Sequence, residues 1–263
     1  MSDLLHYHIK GSGRPLVLIH GWAMHAGVWQ GFADQLAEHC MIVALDLRGH
    51  GDSRPLAGPF TFEQYARDVV AVIEHLGLRD AALLGWSMGV SVILTMFAQG
   101  YTGTGALMFV SGNPSLVQRD DYNCALAPAI VRRLFKQVQR GYPRSLGVFL
   151  NLLCTQQEHE RFSRDPAYRA AMDIARCPDR EAALSMLECL QTEDLRPHLS
   201  RIIAPTLIVH GESDEICLSG GGRFMNDSIP GSRLLMLPDT GHMPFISRRE
   251  RVVEAVLNFL RMY

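Results

Sequence analysis

The order of the apolar segments constrains the fold of this 263-residue chain more than any other feature. Six apolar runs have the length of a β-strand, and helix-length amphipathic segments lie between most of them. The runs cover residues 16–20, 41–45, 81–84, 106–110, 206–209 and 233–237, and the amphipathic segments cover 28–39, 62–76, 90–99 and 248–260. Strands that are apolar throughout and alternate with helices are typical of a parallel sheet covered on both faces. The sequence therefore predicts a doubly wound α/β core with a mostly parallel sheet.

The alternation stops between about residues 114 and 205, where helical periodicity replaces it. Prolines at positions 114, 128, 143, 166, 178 and 197 divide this segment into about four short helices. A helical block inserted between two core strands is typical of a cap over the strand ends. We therefore predict a core of residues 1–113 and 205–263 with a helical cap of residues 114–204. For most residues of the cap we expect a structural role.

Charge and cysteine content exclude several classes of function. The formal net charge is −2, so no overall basic field points to nucleic acid as a partner. The six cysteines form no C-x-x-C pair, which favours free thiols in a reducing cytoplasm over a disulfide framework or a zinc site. The amino terminus lacks a signal-peptide pattern, and no apolar run has the length of a membrane span. We expect a cytoplasmic monomer that binds no membrane, metal or organic cofactor.

The sequence G-W-S-M-G at residues 85–89 follows one apolar run directly and precedes a helical segment. In that context G-x-S-x-G is typical of a nucleophile elbow, a strained turn that exposes a serine hydroxyl at the carboxyl edge of a sheet. The flanking glycines allow strand and helix to approach closely. We predict that Ser87 is the nucleophile.

A serine nucleophile needs a base and an orienting acid, which in this type of enzyme follow the serine along the chain. Of the eleven histidines, His242 fits best because it lies on a loop just after the last predicted strand. The loop after the preceding strand offers Asp214 as the acid, with Glu212 and Glu215 as competitors. Asp239 is on the same loop as His242, where the short tether places it poorly. We expect His20 and His210 to be structural, and His50 to bond locally within a turn.

An oxyanion hole requires two backbone N–H donors directed at the developing charge. One is the amide that follows the nucleophile, on Met88. The loop after the first apolar run, H-G-W at residues 20–22, offers the amide of Trp22 as the second. The Trp22 side chain has a packing role as its alternative interpretation.

Five motifs in this order resemble the α/β-hydrolase superfamily: H-G-W, D-L-R-G-H-G-D-S at 46–53, G-W-S-M-G, G-E-S-D at 211–214 and G-H-M-P-F at 241–245. Within the superfamily, residues 84–89, 244–247, 144–153 and 187–196 resemble the carboxylesterases that hydrolyse the methyl ester of pimeloyl-[acyl-carrier protein] in biotin synthesis. The resemblance implies an α/β-hydrolase fold with a cap and a serine esterase that works without a cofactor. It also implies an acyl carrier protein as partner and small esters as further substrates.

The same resemblance assigns roles to residues of the cap. It implies that an acyl channel is lined by Phe149, Leu150, Asn151, Leu152 and Leu153, and that Trp22, Ser87, Met88 and His242 contact the substrate. Arg144 and Arg161 match family arginines that meet the acidic carrier protein, and Arg164 is a further candidate. The chain departs from the family pattern where Val148 replaces an arginine and Val90 replaces a glycine. Lys136 and Arg140 are candidates to compensate, together with Arg164.

The middle of the predicted cap is basic, an observation that does not depend on the family resemblance. Residues 129–169 contain eight basic and three acidic residues, a local net charge of +5. Such a patch beside a site would attract an acidic partner and hold a phosphate group, and its alternative interpretation is a solvated helical face.

Two alternatives to the carrier-ester hydrolase stay open. Another hydrolase with the same triad, such as a short-chain carboxylesterase, an enol-lactonase or a C–C bond hydrolase, has the same motifs. A non-catalytic ligand-binding protein of this fold is the second alternative. Haloalkane dehalogenases and epoxide hydrolases are disfavoured because they use an aspartate at the position of Ser87.

Overall fold

A computed structural model describes residues 4–173 and 176–263. Seven strands form one sheet with the order β1-β3-β2-β4-β5-β6-β7. The strands are β1 (Tyr7–Lys10), β2 (Pro15–Ile19), β3 (Met41–Leu45), β4 (Ala81–Trp86), β5 (Thr104–Val110), β6 (Thr206–Gly211) and β7 (Arg233–Leu237). All neighbouring pairs are parallel except β1 and β3. This is the mostly parallel sheet that the apolar runs predict.

Helices cover the sheet on both sides. The helices outside the segment between β5 and β6 are α1 (Phe32–Leu36), α2 (Phe62–His75), α3 (Met88–Ala98), α9 (Ser219–Ser228), α10 (Pro244–Ser247) and α11 (Arg249–Leu260). Helix α2 packs against α3, and α1 packs against α11. Every residue of β4 and β6 is buried, as expected for central strands with helices on both faces.

The segment between β5 and β6 is helical in the part of the chain that the structure describes. It contains α4 (Pro128–Gly141), α5 (Leu146–Leu150), α6 (Gln156–Phe162), α7 (Pro166–Ala171), α8 (Arg180–Thr192) and a 3₁₀ turn at Arg196–Arg201. These five α-helices exceed the four expected from the prolines. The additional break lies in the turn between α5 and α6, which contains no proline and where Thr155 caps α6.

One local prediction is wrong, and two elements, β1 and α9, are not predicted from the sequence. The helix expected over residues 28–39 is split into a 3₁₀ turn, Ala26–Trp29, and α1, because Gly31 adopts a φ of 77° between them. Strand β1 has no buried residue, so its sequence carries no apolar run. Helix α9 has three consecutive glycines directly after its first residue, Ser219, and glycine is a poor helix former.

The glycines of α9 are needed for close packing. A Cβ atom on Gly221 would lie 1.4 Å from Oδ1 of Asn113, and one on Gly222 would lie 2.6 Å from Nδ1 of His210. Tertiary contact therefore selects residues that local propensity disfavours.

Among the described helices, none combines the length and apolar character that a membrane span needs.

Candidate active site

Ser87 stands on a sharp turn between β4 and α3, with a φ of 55° and a ψ of −118°. Residues other than glycine rarely adopt this backbone conformation, and such strain is often found at functional sites. A Cβ atom on Gly85 would lie 2.6 Å from the backbone of Gly89, and one on Gly89 would lie 2.2 Å from the carbonyl oxygen of Ile19. The two glycines therefore let the strand, the turn and the helix approach closely, as the elbow motif predicts.

His242 and Asp214 are hydrogen-bonded to each other below the protein surface. The Nδ1 atom of His242 lies 2.8 Å from Oδ2 of Asp214, and both side chains are fully buried. Asp214 follows β6 and His242 follows β7, so parallel strands bring both loops to the edge where Ser87 lies. The Nε2 atom of His242 has no hydrogen-bond partner among the described residues. This nitrogen is free to accept a proton.

The surroundings of Asp214 keep it ionised. Its Oδ1 atom accepts hydrogen bonds from the backbone N–H groups of Ile216 and Cys217, each at 2.9 Å. Burial alone would raise the pKa of Asp214, but His242 and His210 together hold that pKa below its usual range. The acid stays charged, and a charged acid is what stabilises a protonated imidazole.

His210 is a second neighbour of Asp214 that the sequence does not indicate. Its Nε2 atom lies 2.6 Å from the carbonyl oxygen of Cys217 and 3.5 Å from Oδ2 of Asp214.

The acids that compete with Asp214, Glu212 and Glu215, form no hydrogen bond or ion pair with His242 among the described residues. Glu212 is exposed and forms an ion pair with Arg223 at 3.5 Å, and Glu215 lies exposed on a cavity wall.

Two backbone amides beside Ser87 are free to donate. The N–H group of Met88 is the first of α3 and has no partner within its helix. The N–H group of Trp22 donates to no acceptor in the described part of the chain. Its loop lies against the elbow, because a Cβ atom on Gly21 would be 3.1 Å from Cβ of Ser87. This is the arrangement expected of an oxyanion hole.

A cavity of about 240 Å³ extends from Ser87 between the core and the helices of the β5–β6 segment. Of the predicted contact residues, Trp22, Ser87, Met88, Phe149 and Leu152 line it. Sequence reasoning missed most of the rest of its apolar wall, which comes from α4, α5 and α8 and from the loop after β6: Ile130, Val131, Leu134, Val148, Leu187, Leu190, Ile216 and Cys217. The cavity accepts an aliphatic chain next to the serine.

Three residues of the predicted channel segment lie elsewhere. Leu150 and Leu153 are buried without lining the cavity, and Asn151 is exposed. Phe149 and Leu150 are the last residues of α5, and Asn151, Leu152 and Leu153 form the turn that follows it, so these five side chains point in different directions and do not line one wall. Leu153 contacts the site differently, because its carbonyl oxygen accepts the backbone N–H of His242 at 2.9 Å.

The loop that carries His242 is held by further contacts that its sequence does not reveal. The indole N–H of Trp86 donates to the carbonyl oxygen of His242 at 2.8 Å. The backbone N–H of Gly241 donates to the carboxylate of Glu158, at 3.0 Å to the nearer oxygen. Glu158 belongs to α6, and only the tertiary fold brings it to this loop.

The predicted carrier-protein arginines are all on the surface. Arg144, Arg161 and Arg164 are exposed, form no ion pair with a described residue and do not line the cavity. A second group of cations lies on α4, in a groove lined by Arg132, Arg133, Lys136 and Arg140 together with Ala129 and Gln137. Arg133 and Gln137 also line the cavity, so the groove adjoins the cavity wall.

Comparison with known proteins agrees with this geometry. A family model described as alpha/beta hydrolase fold matches residues 14–248. The chain belongs to the α/β-hydrolase family.

Individual members of this family that resemble the chain include named esterases and an enol-lactonase. The pimeloyl-[acyl-carrier protein] methyl ester esterase of Nitrosomonas europaea is 31% identical over 250 residues, which are 95% of this chain and 96% of the relative. An esterase from Exiguobacterium antarcticum superposes with a TM-score of 0.87 at 26% identity, covering 98% of this chain and 95% of that one. The enol-lactonase from Burkholderia xenovorans superposes with a TM-score of 0.86 at 25% identity, covering 98% and 96%.

Proposed function

We propose that the chain is a serine carboxylesterase that hydrolyses the methyl ester of pimeloyl-acyl carrier protein through an acyl-enzyme. The coarser part of this statement follows from the family and from relatives named as esterases: the chain is a carboxylic ester hydrolase. The finer part concerns the acyl group, the carrier and the covalent step. The buried Asp214–His242 hydrogen bond, on loops at the same sheet edge as Ser87 and with Nε2 of His242 unpartnered, is the observation that carries the covalent step.

In the proposed reaction, Ser87 Oγ attacks the ester carbonyl carbon while its proton passes to Nε2 of His242. Asp214 stabilises the resulting imidazolium, and the amides of Trp22 and Met88 bind the negative oxygen. Collapse of the tetrahedral intermediate breaks the ester C–O bond, and His242 gives its proton to the departing methoxide, which leaves as methanol. A water molecule then attacks the acyl-enzyme carbonyl carbon while His242 takes its proton. The bond between that carbon and Ser87 Oγ breaks, His242 returns the proton to Oγ, and the free acid is released.

The cavity supports an aliphatic acyl group. Its walls are apolar side chains from α4, α5 and α8, so a methylene chain would be removed from water along its length. The exposed cations of α4 adjoin the cavity, which suits a substrate whose far end carries negative charge, such as a phosphopantetheine-linked carrier.

The triad assignment is tested by Ser87→Ala, with Ser91→Ala as the matched control. Ser91 also lines the cavity but lies one turn into α3. We expect Ser87→Ala to lower kcat on a short p-nitrophenyl ester by about 10³-fold or more, because a catalytic triad acts as a unit. Ser91→Ala should stay within about threefold of the wild type. Near-normal turnover by Ser87→Ala would overturn the proposal.

A second candidate, enol-lactone hydrolysis, is favoured by the likeness to the Burkholderia xenovorans enzyme and uses the same triad. Enol-lactone hydrolysis is distinguished from hydrolysis of the carrier-bound ester by comparing kcat/KM for carrier-bound methyl pimelate, free methyl pimelate and an enol-lactone. The proposal expects the carrier-bound ester to be preferred. A preference for the lactone would replace it, and a stable covalent adduct without product release would favour a ligand-binding protein instead.

A further inference from the structure

Glu158 is a buried carboxylate whose contacts point towards the candidate base. Its side chain on α6 is 4% exposed and forms no ion pair with a described residue. Its Oε2 atom accepts the N–H groups of Thr155 at 2.8 Å and of Gly241 at 3.0 Å, and Oε1 lies 3.2 Å from the Gly241 nitrogen. Within the described ranges, backbone N–H groups therefore provide all the hydrogen bonds of this carboxylate.

This arrangement is more than the helix itself requires. The bond to Thr155 completes a capping box at the start of α6, a local arrangement that also forms at exposed helix ends. Burial of a carboxylate without a cation is costly, so a buried one normally has a compensating role. The bond to Gly241, 83 residues away in sequence, is the contact that accounts for the burial.

Gly241 directly precedes His242, and the loop around it has no spare room. A Cβ atom on Gly241 would lie 2.8 Å from Oε2 of Glu158, and one on Gly211 would lie 2.3 Å from the carbonyl oxygen of Gly241. The next residue, His242, donates its own N–H to Leu153. Two consecutive amides of the loop are thus hydrogen-bonded to α6 and to the turn that precedes it.

We propose that Glu158 is a positioning residue that acts through the Gly241 amide to hold His242 at the correct distance from Ser87. The proposal rests on the proposed function only in taking His242 as the base. Misplacement of a reacting group by about 1 Å costs about 10²-fold in rate, so the loss of this tie should appear in kcat. Binding of the acyl chain, which depends on the cavity walls, should change little.

Three substitutions distinguish the effect of side-chain length from the effect of charge. Glu158→Ala removes both the carboxylate and its stem. Glu158→Gln keeps the length and one acceptor oxygen, and Glu158→Asp keeps the charge but is shorter by one methylene. The matched control is Glu160→Ala, on the same helix, because Glu160 is exposed and its carboxylate has one hydrogen bond to a described residue, Gln156. Each variant is assayed on a p-nitrophenyl ester, with kcat expressed per site titrated by a fluorophosphonate, and its Tm is measured.

We expect kcat per titrated site to fall by about 30-fold in Glu158→Ala and about 10-fold in Glu158→Asp, with KM within about threefold. Glu158→Gln should retain most of the activity, and Glu160→Ala should match the wild type. If Glu158→Ala fails to fold, the comparison of kcat between Glu158→Gln and Glu158→Asp decides. Retention of kcat by Glu158→Asp at or above the level of Glu158→Gln overturns the proposal, as does a lowered Tm with unchanged kcat. Failure of the proposed function would appear separately, as activity in Ser87→Ala.

Discussion

At the scale of single residues, two buried histidines in the loops after β2 and β3 support the fold by remaining uncharged. His20 has both ring nitrogens occupied: Nε2 accepts the N–H of Leu47 at 3.0 Å, so Nδ1 donates to the carbonyl oxygen of Gly21 at 2.8 Å. Burial lowers the pKa of His20 to about 3. Burial, followed by the proximity of His20, also lowers the pKa of His50 to about 3. Neither imidazole takes up a proton without losing its environment.

This predicts a loss of stability in mild acid. The unfolded chain protonates both histidines at a pKa near 6.5, whereas the folded chain does so only near pH 3. Their contribution is therefore complete above pH 6.5 and is lost as the pH falls towards 3. Two such groups lower the free energy of unfolding by about 4 kcal/mol between pH 7.5 and 5. Urea unfolding at pH 7.5 and 5 measures this, and His50→Gln should remove about half of the pH dependence.

The control for this measurement is the exposed His8→Gln, which should leave the slope of the wild type. A His50→Gln protein with an unchanged slope would show that His50 is not the group that titrates.

The sequence indicates some site residues and conceals others for physical reasons. Ser87, Asp214 and His242 occur within short motifs next to strands, so the strand pattern alone predicts that they share one edge of the sheet. Glu158 has an ordinary local context, a helix start after Thr155, and only the packing of α6 against the His242 loop shows its second contact.

At the scale of elements, burial decides what the sequence predicts well. The buried strand β3 and the half-buried strand β7 lie where the apolar runs place them, at 41–45 and 233–237. The exposed strand β1 carries no such run and is held to β3 by backbone pairing from Tyr7 to Lys10. Pairing of this kind uses backbone groups that every residue has, so no side-chain pattern marks it.

The start of α3 gives a stability prediction at this scale. Gly89→Ala would force a methyl group to within 2.2 Å of the Ile19 carbonyl oxygen at the end of β2. We expect it to lower the free energy of unfolding by about 3 kcal/mol, since overpacking at a rigid backbone has no easy relaxation. Gly147→Ala in α5 is the matched control, because no heavy atom lies within 4 Å of its added Cβ. It should stabilise by up to about 1 kcal/mol through helix propensity. Denaturant midpoints check both, and equal effects would contradict the close approach of α3 and β2.

At the scale of the whole molecule, charge and apolar surface meet at the cavity. The chain carries a net charge of −2, yet residues 129–169 carry +5. Three cavity-wall residues, Ile130, Val148 and Leu152, are among the exposed large apolar side chains. An exposed apolar patch beside unpaired cations is typical of a protein-binding surface. The proposed carrier therefore has two candidate contact surfaces, the α4 groove and the arginines at 144, 161 and 164.

Charge reversal distinguishes these two surfaces. We expect Arg132→Glu with Lys136→Glu, in the groove that adjoins the cavity, to raise KM for an acyl-carrier methyl ester by about tenfold. Arg144→Glu with Arg161→Glu should also raise this KM, but less, because neither residue lines the groove that adjoins the cavity. Both effects should grow at low ionic strength, since exposed charges are screened over about 10 Å at 0.1 M salt. Hydrolysis of a small p-nitrophenyl ester should be nearly unchanged, because Ser87, Asp214 and His242 are untouched. Equal losses of activity on the carrier ester and on the p-nitrophenyl ester would mean that these cations stabilise the helices rather than bind a partner. A larger rise in KM for Arg144→Glu with Arg161→Glu than for the α4 variant would place the carrier away from α4.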